Sequence, residues 1–82
     1  TIAKGCELYT NGRTTDAIAM LTLARKTSPG DAEGLYCLCG AYVRPPLRKE
    51  EGRQACEAYI AHPHRDAVKT RQVNLWLRRL RR

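Results

Sequence analysis

Phenylalanine is absent from the 82 residues, methionine and tryptophan occur once each, and 8 acidic residues stand against 15 lysines and arginines. Without Phe the core has to come from Leu, Ala, Tyr, Val, Ile and Cys. A domain of this size buries only roughly 60% of the surface its unfolded chain exposes. No apolar run approaches the roughly 18 residues of a membrane span, and the start, Thr1-Ile2-Ala3-Lys4-Gly5, has neither Met nor the basic-then-apolar layout of a signal peptide. A mature form or an excised domain is the expectation. No stretch alternates with period two, which argues against strands. The composition, 43% hydrophobic and 28% charged, argues against disorder.

Catalytic patterns are missing too. There is no Ser-His-Asp arrangement, no phosphate-binding glycine loop and no H-E-x-x-H. His62 and His64 flank Pro63 in a turn, without the rigid support a general base needs. Glu50 and Glu51 are adjacent and so point apart on a helix. The expectation is no enzyme and no cofactor. Four cysteines occur, Cys6, Cys37, Cys39 and Cys56, with no C-x-x-C. On a helix Cys37 and Cys39 point about 200° apart, which suits neither a mutual disulfide nor a shared metal. The thiols are therefore expected to be free, acting as small hydrophobes rather than joining the histidines on zinc. Reduced cysteines point to a cytoplasmic setting.

What the chain does have is a period. Pro29 and Pro63, Ala24 and Ala58, and Asp16 and Glu50 are each separated by 34 residues. In the same register Leu8, Tyr42 and Trp76 share a slot, as do Gly5, Cys39 and Val73, and Tyr9, Val43 and Leu77. Local signals cut the chain into helices of matching length. Residues 2–10 carry Ile2, Cys6 and Tyr9 on one stripe and stop at Asn11-Gly12. Thr14 is the expected N-cap of a helix over 15–27, with Asp16 in its first turn and Ala17, Met20, Leu21 and Ala24 at helical spacing. Ser28-Pro29-Gly30 breaks the chain. Asp31 caps a helix bearing Leu35, Leu38, Cys39 and Tyr42, ended by Pro45-Pro46. Residues 47–61 follow, with Ala55, Cys56 and Tyr59 as the apolar side. After His62-Pro63-His64 comes a last helix over 66–81. Five helices joined by short loops predict an all-α fold of stacked antiparallel pairs.

The run Lys4-Gly5-x-x-Leu8-Tyr9-x-x-Gly12-x-x-x-Asp16-Ala17-Ile18-x-x-Leu21-x-x-Ala24-x-x-x-x-Pro29 resembles the tetratricopeptide repeat family, whose period is also 34. A second copy keeps Leu38-Cys39-x-Ala41-Tyr42 and Ala58-x-x-x-x-Pro63 but has Pro45-Pro46 at the turn and Glu51-Gly52 at the usual small-plus-apolar pair. The resemblance implies a right-handed α-solenoid in one domain over 1–82. Repeat 1 would span about 1–30, repeat 2 about 31–64 and a terminal helix about 65–82. It also implies a concave groove lined by the first helix of each pair, which takes a peptide or partner protein. The matching slots are Ile2, Cys6 and Tyr9, then Tyr36, Gly40 and Val43, then Thr70, Asn74 and Arg78. The carboxylate clamp of chaperone-binding members is not expected, because its Lys and Asn slots read Ile2 and Cys6.

The net charge is +7, of which residues 65–82 supply +6. Arg71, Arg78 and Arg82 should share one side of the last helix, with Val73, Trp76, Leu77 and Leu80 opposite. The first reading of this helix is a cap whose apolar face seals the stack while its arginines keep the end soluble. An acidic protein partner is the second. Nucleic acid is disfavoured, since no stacking aromatics interleave the arginines. Trp76 is expected in the core. The favoured function is a protein-interaction module, a scaffold or assembly factor. The rival is one structural end of a longer repeat array. With so little core, self-association is a natural complement to either.

Overall fold

Each helix start is set by chemistry at its own terminus. In the computed structural model, which describes residues 1–45 and 47–81, the Thr1 hydroxyl accepts from the Lys4 amide and opens α1, Ile2–Thr10. Asp31 caps α3, Ala32–Val43, by accepting from the Gly34 amide, and Asp66 caps α5, Ala67–Leu80, by accepting from the Lys69 amide. These are N-cap bonds that satisfy otherwise orphaned donors. α2, Thr14–Ala24, departs from expectation: Arg13 holds the cap position without a side-chain bond, and Thr14 is the first helical residue. α2 also stops three residues short of the predicted end. α4, Lys49–Ile60, starts two residues later than predicted.

The loops follow from local backbone rules. At the end of α1 the Arg13 amide donates to the Leu8 carbonyl at 2.9 Å and the Gly12 amide to the Tyr9 carbonyl at 3.1 Å. This pair of bonds requires a left-handed residue at Gly12, whose φ is 82°. Arg44 is extended, with ψ 153°, as expected ahead of Pro45. Pro46, the second half of the predicted stop, lies outside the described residues.

All five helices, with no strand among the described residues, are arranged around α3. α1 pairs with α2 and α3 with α4. α1 and α2 both pack on α3, α5 packs on α3 and α4, and the backbones of α1 and α2 make no close approach to those of α4 or α5. The sequence of α3 explains its central place: from Gly34 to Val43 it carries no charge, and every residue there except Tyr36 is buried. A helix apolar on all sides needs cover on all sides. The core gathers on it: Leu8, Ala17, Leu21, Leu35, Leu38, Tyr42, Tyr59, Val73, Leu77 and Leu80 are all buried.

The cysteines correct the reading of free thiols. Cys6 is bonded to Cys37 and Cys39 to Cys56, and no cysteine is free. The roughly 200° between Cys37 and Cys39 does forbid a bond between them, and it aims the two sulfurs at different neighbours, α1 and α4. The argument from reduced thiols to a cytoplasmic setting loses its ground with them. Among the described residues no helix is long and apolar enough to cross a membrane.

The bridges also expose a slip in the repeat. First helices keep the 34-residue offset, since Gly5, Cys39 and Val73 are all buried. The second helices do not. Gly5 lies against Leu21, and the equivalent Cys39 is bonded to Cys56, 35 residues beyond Leu21. Likewise the buried Ala17 of α2 is matched by the buried Gly52, not by the exposed Glu51. One extra residue thus enters before α4. The small residue missing from position 51 is supplied at 52, where it accepts Leu80 and the Tyr42 Cβ.

Candidate functional site

The first helices α1, α3 and α5 lie side by side and present a row of half-buried aromatics. Gly40 is its hinge point. A Cβ there would overlap the Tyr9 phenol and the edge of the Trp76 ring, so the bare backbone of α3 lets rings from both neighbours lie on it. Tyr36, one turn earlier, stacks at a tilt on Trp76 with centroids 5.3 Å apart, and on buried Tyr59 at 5.7 Å. Offset or tilted rings at this range attract beyond their area burial.

Two cations cover the row. The Arg44 guanidinium lies 4.0 Å above the Tyr9 ring, donating to the Tyr9 carbonyl at 2.7 Å and more weakly to the Thr14 hydroxyl at 3.4 Å. The first of these bonds places positive charge at the C-terminal end of α1, where the helix dipole favours it. Lys69 sits 5.2 Å from the Tyr36 ring centre and donates to the Glu33 carboxylate at 2.7 Å. Both cation–ring pairs are within attractive range. Burial pushes the Tyr9 hydroxyl up from its ordinary pKa, with Arg44 opposing. Burial does the same to Tyr36, and the neighbouring Tyr9 adds to it. The Glu33 hydrogen bond raises Lys69, against a smaller effect of its own burial.

The nine residues assigned to the groove divide accordingly. Ile2, Cys6, Tyr9 and Tyr36 stand on the α1–α3 side of the row, partly buried. Cys6 is taken up in its bridge. Gly40 and Val43 are buried, beneath the surface rather than on it. Thr70 lines a shallow hollow with Pro63, Arg65 and Ala67. Asn74 lines another, between α4 and α5, with Glu57, Ile60 and Leu77. Neither hollow is lined by Tyr36. Arg78 is exposed. On α5, Lys69 lies over the Tyr36 ring and Trp76 stacks on it, the two being seven apart and so on one helical face. The slot shared with Leu8 and Tyr42 had assigned Trp76 to the core, and it packs at the core's rim. The helical face common to Lys69 and Trp76 was the overlooked signal.

On α5 the apolar and basic sides separate as predicted. Val73, Leu77 and Leu80 are buried, and Arg71, Arg78 and Arg79 are exposed with no ion pair among the described residues. Arg82 lies outside those residues. Arg81 pairs with Glu57 at 3.4 Å. His62 acts as a structural latch: its Nε2 donates to the Gly30 carbonyl at 2.6 Å, while its Nδ1 accepts from the His64 amide at 3.0 Å. This ties the loop after α2 to the loop after α4. The atoms of Cys6, Cys37 and Glu33 that could ligate a metal lie within 4.8 Å of one another, but the two sulfurs are bonded to each other and are not thiolate ligands.

No family model matches the chain, and neither a curated protein nor a solved structure matches it.

Proposed function

We propose that this chain is a tetratricopeptide-like module, a right-handed stack of helical pairs that takes a partner protein or peptide on the face of α1, α3 and α5. The observation that carries the reading is the half-buried row Tyr9, Tyr36 and Trp76, with Arg44 over the first ring and Lys69 over the second. Aromatic rings give rigid contact area with little entropy to lose, and partly desolvated rings beside cations are the composition of binding hot spots. A partner carrying carboxylates suits the cations here and the exposed Arg71, Arg78 and Arg79 on α5. The two disulfides suit a setting outside the reducing cytoplasm. The expected behaviour is binding by rigid surface rather than chemistry, as scaffold or assembly factor.

The test is affinity capture with the oxidised chain. A specific partner retained by the wild type and by Leu23→Glu, but lost from a folded Tyr36→Ala/Trp76→Ala variant, supports this face. Retention by the double variant rejects it. The rival, a structural end of a longer array, draws on a different observation, the uncovered apolar side of α2.

A further inference from the structure

Eleven residues make up α2, and Asp16 is the only charged one. The rest are alanines, aliphatic residues and three threonines, so little on this helix demands water, and an apolar stripe is expected to find cover. Yet only one side is covered. Ala17 and Leu21 are fully buried, whereas Leu23 is 62% exposed, and Thr15, Ala19 and Thr22 are exposed with it. The corresponding positions of α4, taken with the observed 35-residue offset, are polar or smaller: Ile18, Ala19 and Thr22 become Arg53, Gln54 and Glu57, and Leu23 becomes the half-buried Ala58. Two helices in the same place in their hairpins therefore treat the same outer face differently. Ala19 and Leu23 form a ridge between two shallow hollows with apolar floors and charged rims, one holding Ile18 and Thr22 with Lys26 and Arg48 at its edge, the other Leu8 and Met20 with Arg13 and Asp16.

The outer face has an order of its own. Asp16, Ala19 and Leu23 lie within about 60° of arc on α2, and Lys26, in the turn that follows the helix, borders the same hollow as Ala19 and Leu23, so the four follow a 3-4-3 spacing. That is the spacing of a coiled-coil seam. Read against its own reverse, the seam is self-complementary. Set antiparallel about Leu21, it places small Ala19 opposite large Leu23 and acidic Asp16 opposite basic Lys26, twice each. Asp16 already pairs with Arg13 at 2.6 Å, but its side chain keeps 54% of its surface open. Lys26 is exposed and has no ion pair among the described residues. The arginines of α5 do not oppose this contact, because the backbone of α2 makes no close approach to that of α5.

We propose that the outer face of α2 is a docking surface for a second copy of this chain, packed antiparallel across a two-fold axis. The contact is isologous and closes at two copies. The helical part of the seam, from Asp16 to Leu23, is only about 10 Å long, so the dimer is concentration-dependent rather than obligate.

Sedimentation equilibrium of the oxidised 82-residue chain tests it. The mass should rise from the 9.3 kDa of one chain toward twice that value as concentration increases. Leu23→Glu should weaken the dimer at least about tenfold, the size of a 1.4 kcal/mol loss, with unchanged far-UV circular dichroism because the side chain is exposed. The charge pairs give a sharper reading. Asp16→Lys alone and Lys26→Glu alone should each be monomeric, since each puts like charges opposite one another. Their equimolar mixture should dimerise again. A wild type that remains monomeric up to about 1 mM, a dimer indifferent to Leu23→Glu, or single charge variants that dimerise as well as the mixture would overturn the proposal. Binding of α2 to a foreign helix while the chain itself stays monomeric would overturn it equally.

Discussion

α2 and α4 are second helices of successive hairpins, and their differences show what a repeat has to keep and what it is free to change. The inward side is kept. Ala17 and Leu21 of α2 and Gly52 and Cys56 of α4 are all buried, facing the first helix of their own pair. The outward side is free, and α4 spends it on Glu50, Arg53 and Glu57, two of which pair with each other at 2.7 Å. α2 spends it on Ala19, Thr22 and Leu23. The inward contact differs in kind as well: Leu21 packs on Gly5, whereas Cys56 is bonded to Cys39. The first pair is held by a leucine in the slot of a missing side chain, the second by a covalent bond.

Reduction should break the comparison most severely. Bridges closing loops with separations of 31 and 17 residues are each worth about 3 kcal/mol in the chain-entropy account. A domain this small has little margin, so circular dichroism after reduction should show a melting temperature lowered by tens of degrees or outright loss of helix. Next in size is Leu21→Ala, with an expected cost of about 3 kcal/mol in urea unfolding. Leu23→Ala, two residues on and exposed, should cost no more than about 0.5 kcal/mol. Equal costs would mean that the outer face of α2 is covered within the monomer.

Gly40→Val tests the aromatic row. The added atoms meet Tyr9 and Trp76, an overpacking cost of about 2 kcal/mol, with a shift in Trp76 fluorescence. Gly30→Val, where nothing stands within 4 Å, should leave the fluorescence unchanged. His62→Ala removes the bond to Gly30 between the two hairpins and should cost about 1 kcal/mol by the same measurement. Smallest is the response to alkali. The folded state raises Tyr9 and Tyr36 above 10.0 and Lys69 above 10.5. All three hold their protons more tightly when folded, so stability from these groups is fully present below pH 10 and declines as pH rises through the shifted values. Lys69→Met and Tyr9→Phe together should flatten that decline.

Much of this was legible in the sequence, and the misses have physical causes. The helices could be read because turn chemistry marks their ends: Asn11-Gly12 and Asp31 each do in the structure what such residues do locally, whereas Asp66, read as the first residue of the last helix, is its cap. The one-residue slip in α4 could not be read from a fixed period, because prolines in the preceding loop disguise where the helix restarts. Glu51-Gly52 looked like a lost small residue when the small residue had only moved. The bridges were missed for a related reason. The angle between Cys37 and Cys39 correctly excludes their mutual bond, but it carries no information about α1 and α4, whose placement is tertiary. For the candidate site, Tyr9 and Tyr36 were found because they face along the first helices. Thr70 and Asn74 were chosen by slot number, while on α5 the residues meeting Tyr36 are set by how that helix is rotated against α3.

The stacking of hairpin on hairpin around α3 is tested most directly by peptide mapping of the unreduced chain. Cys6 lies beside Cys37 only if α1 runs along α3, and Cys39 lies beside Cys56 only if α4 carries its extra residue. The expected result is two linked peptide pairs, Cys6 with Cys37 and Cys39 with Cys56, and no alkylatable thiol. Four free thiols in protein purified under oxidising conditions, or Cys6 linked to Cys56, would contradict the stack.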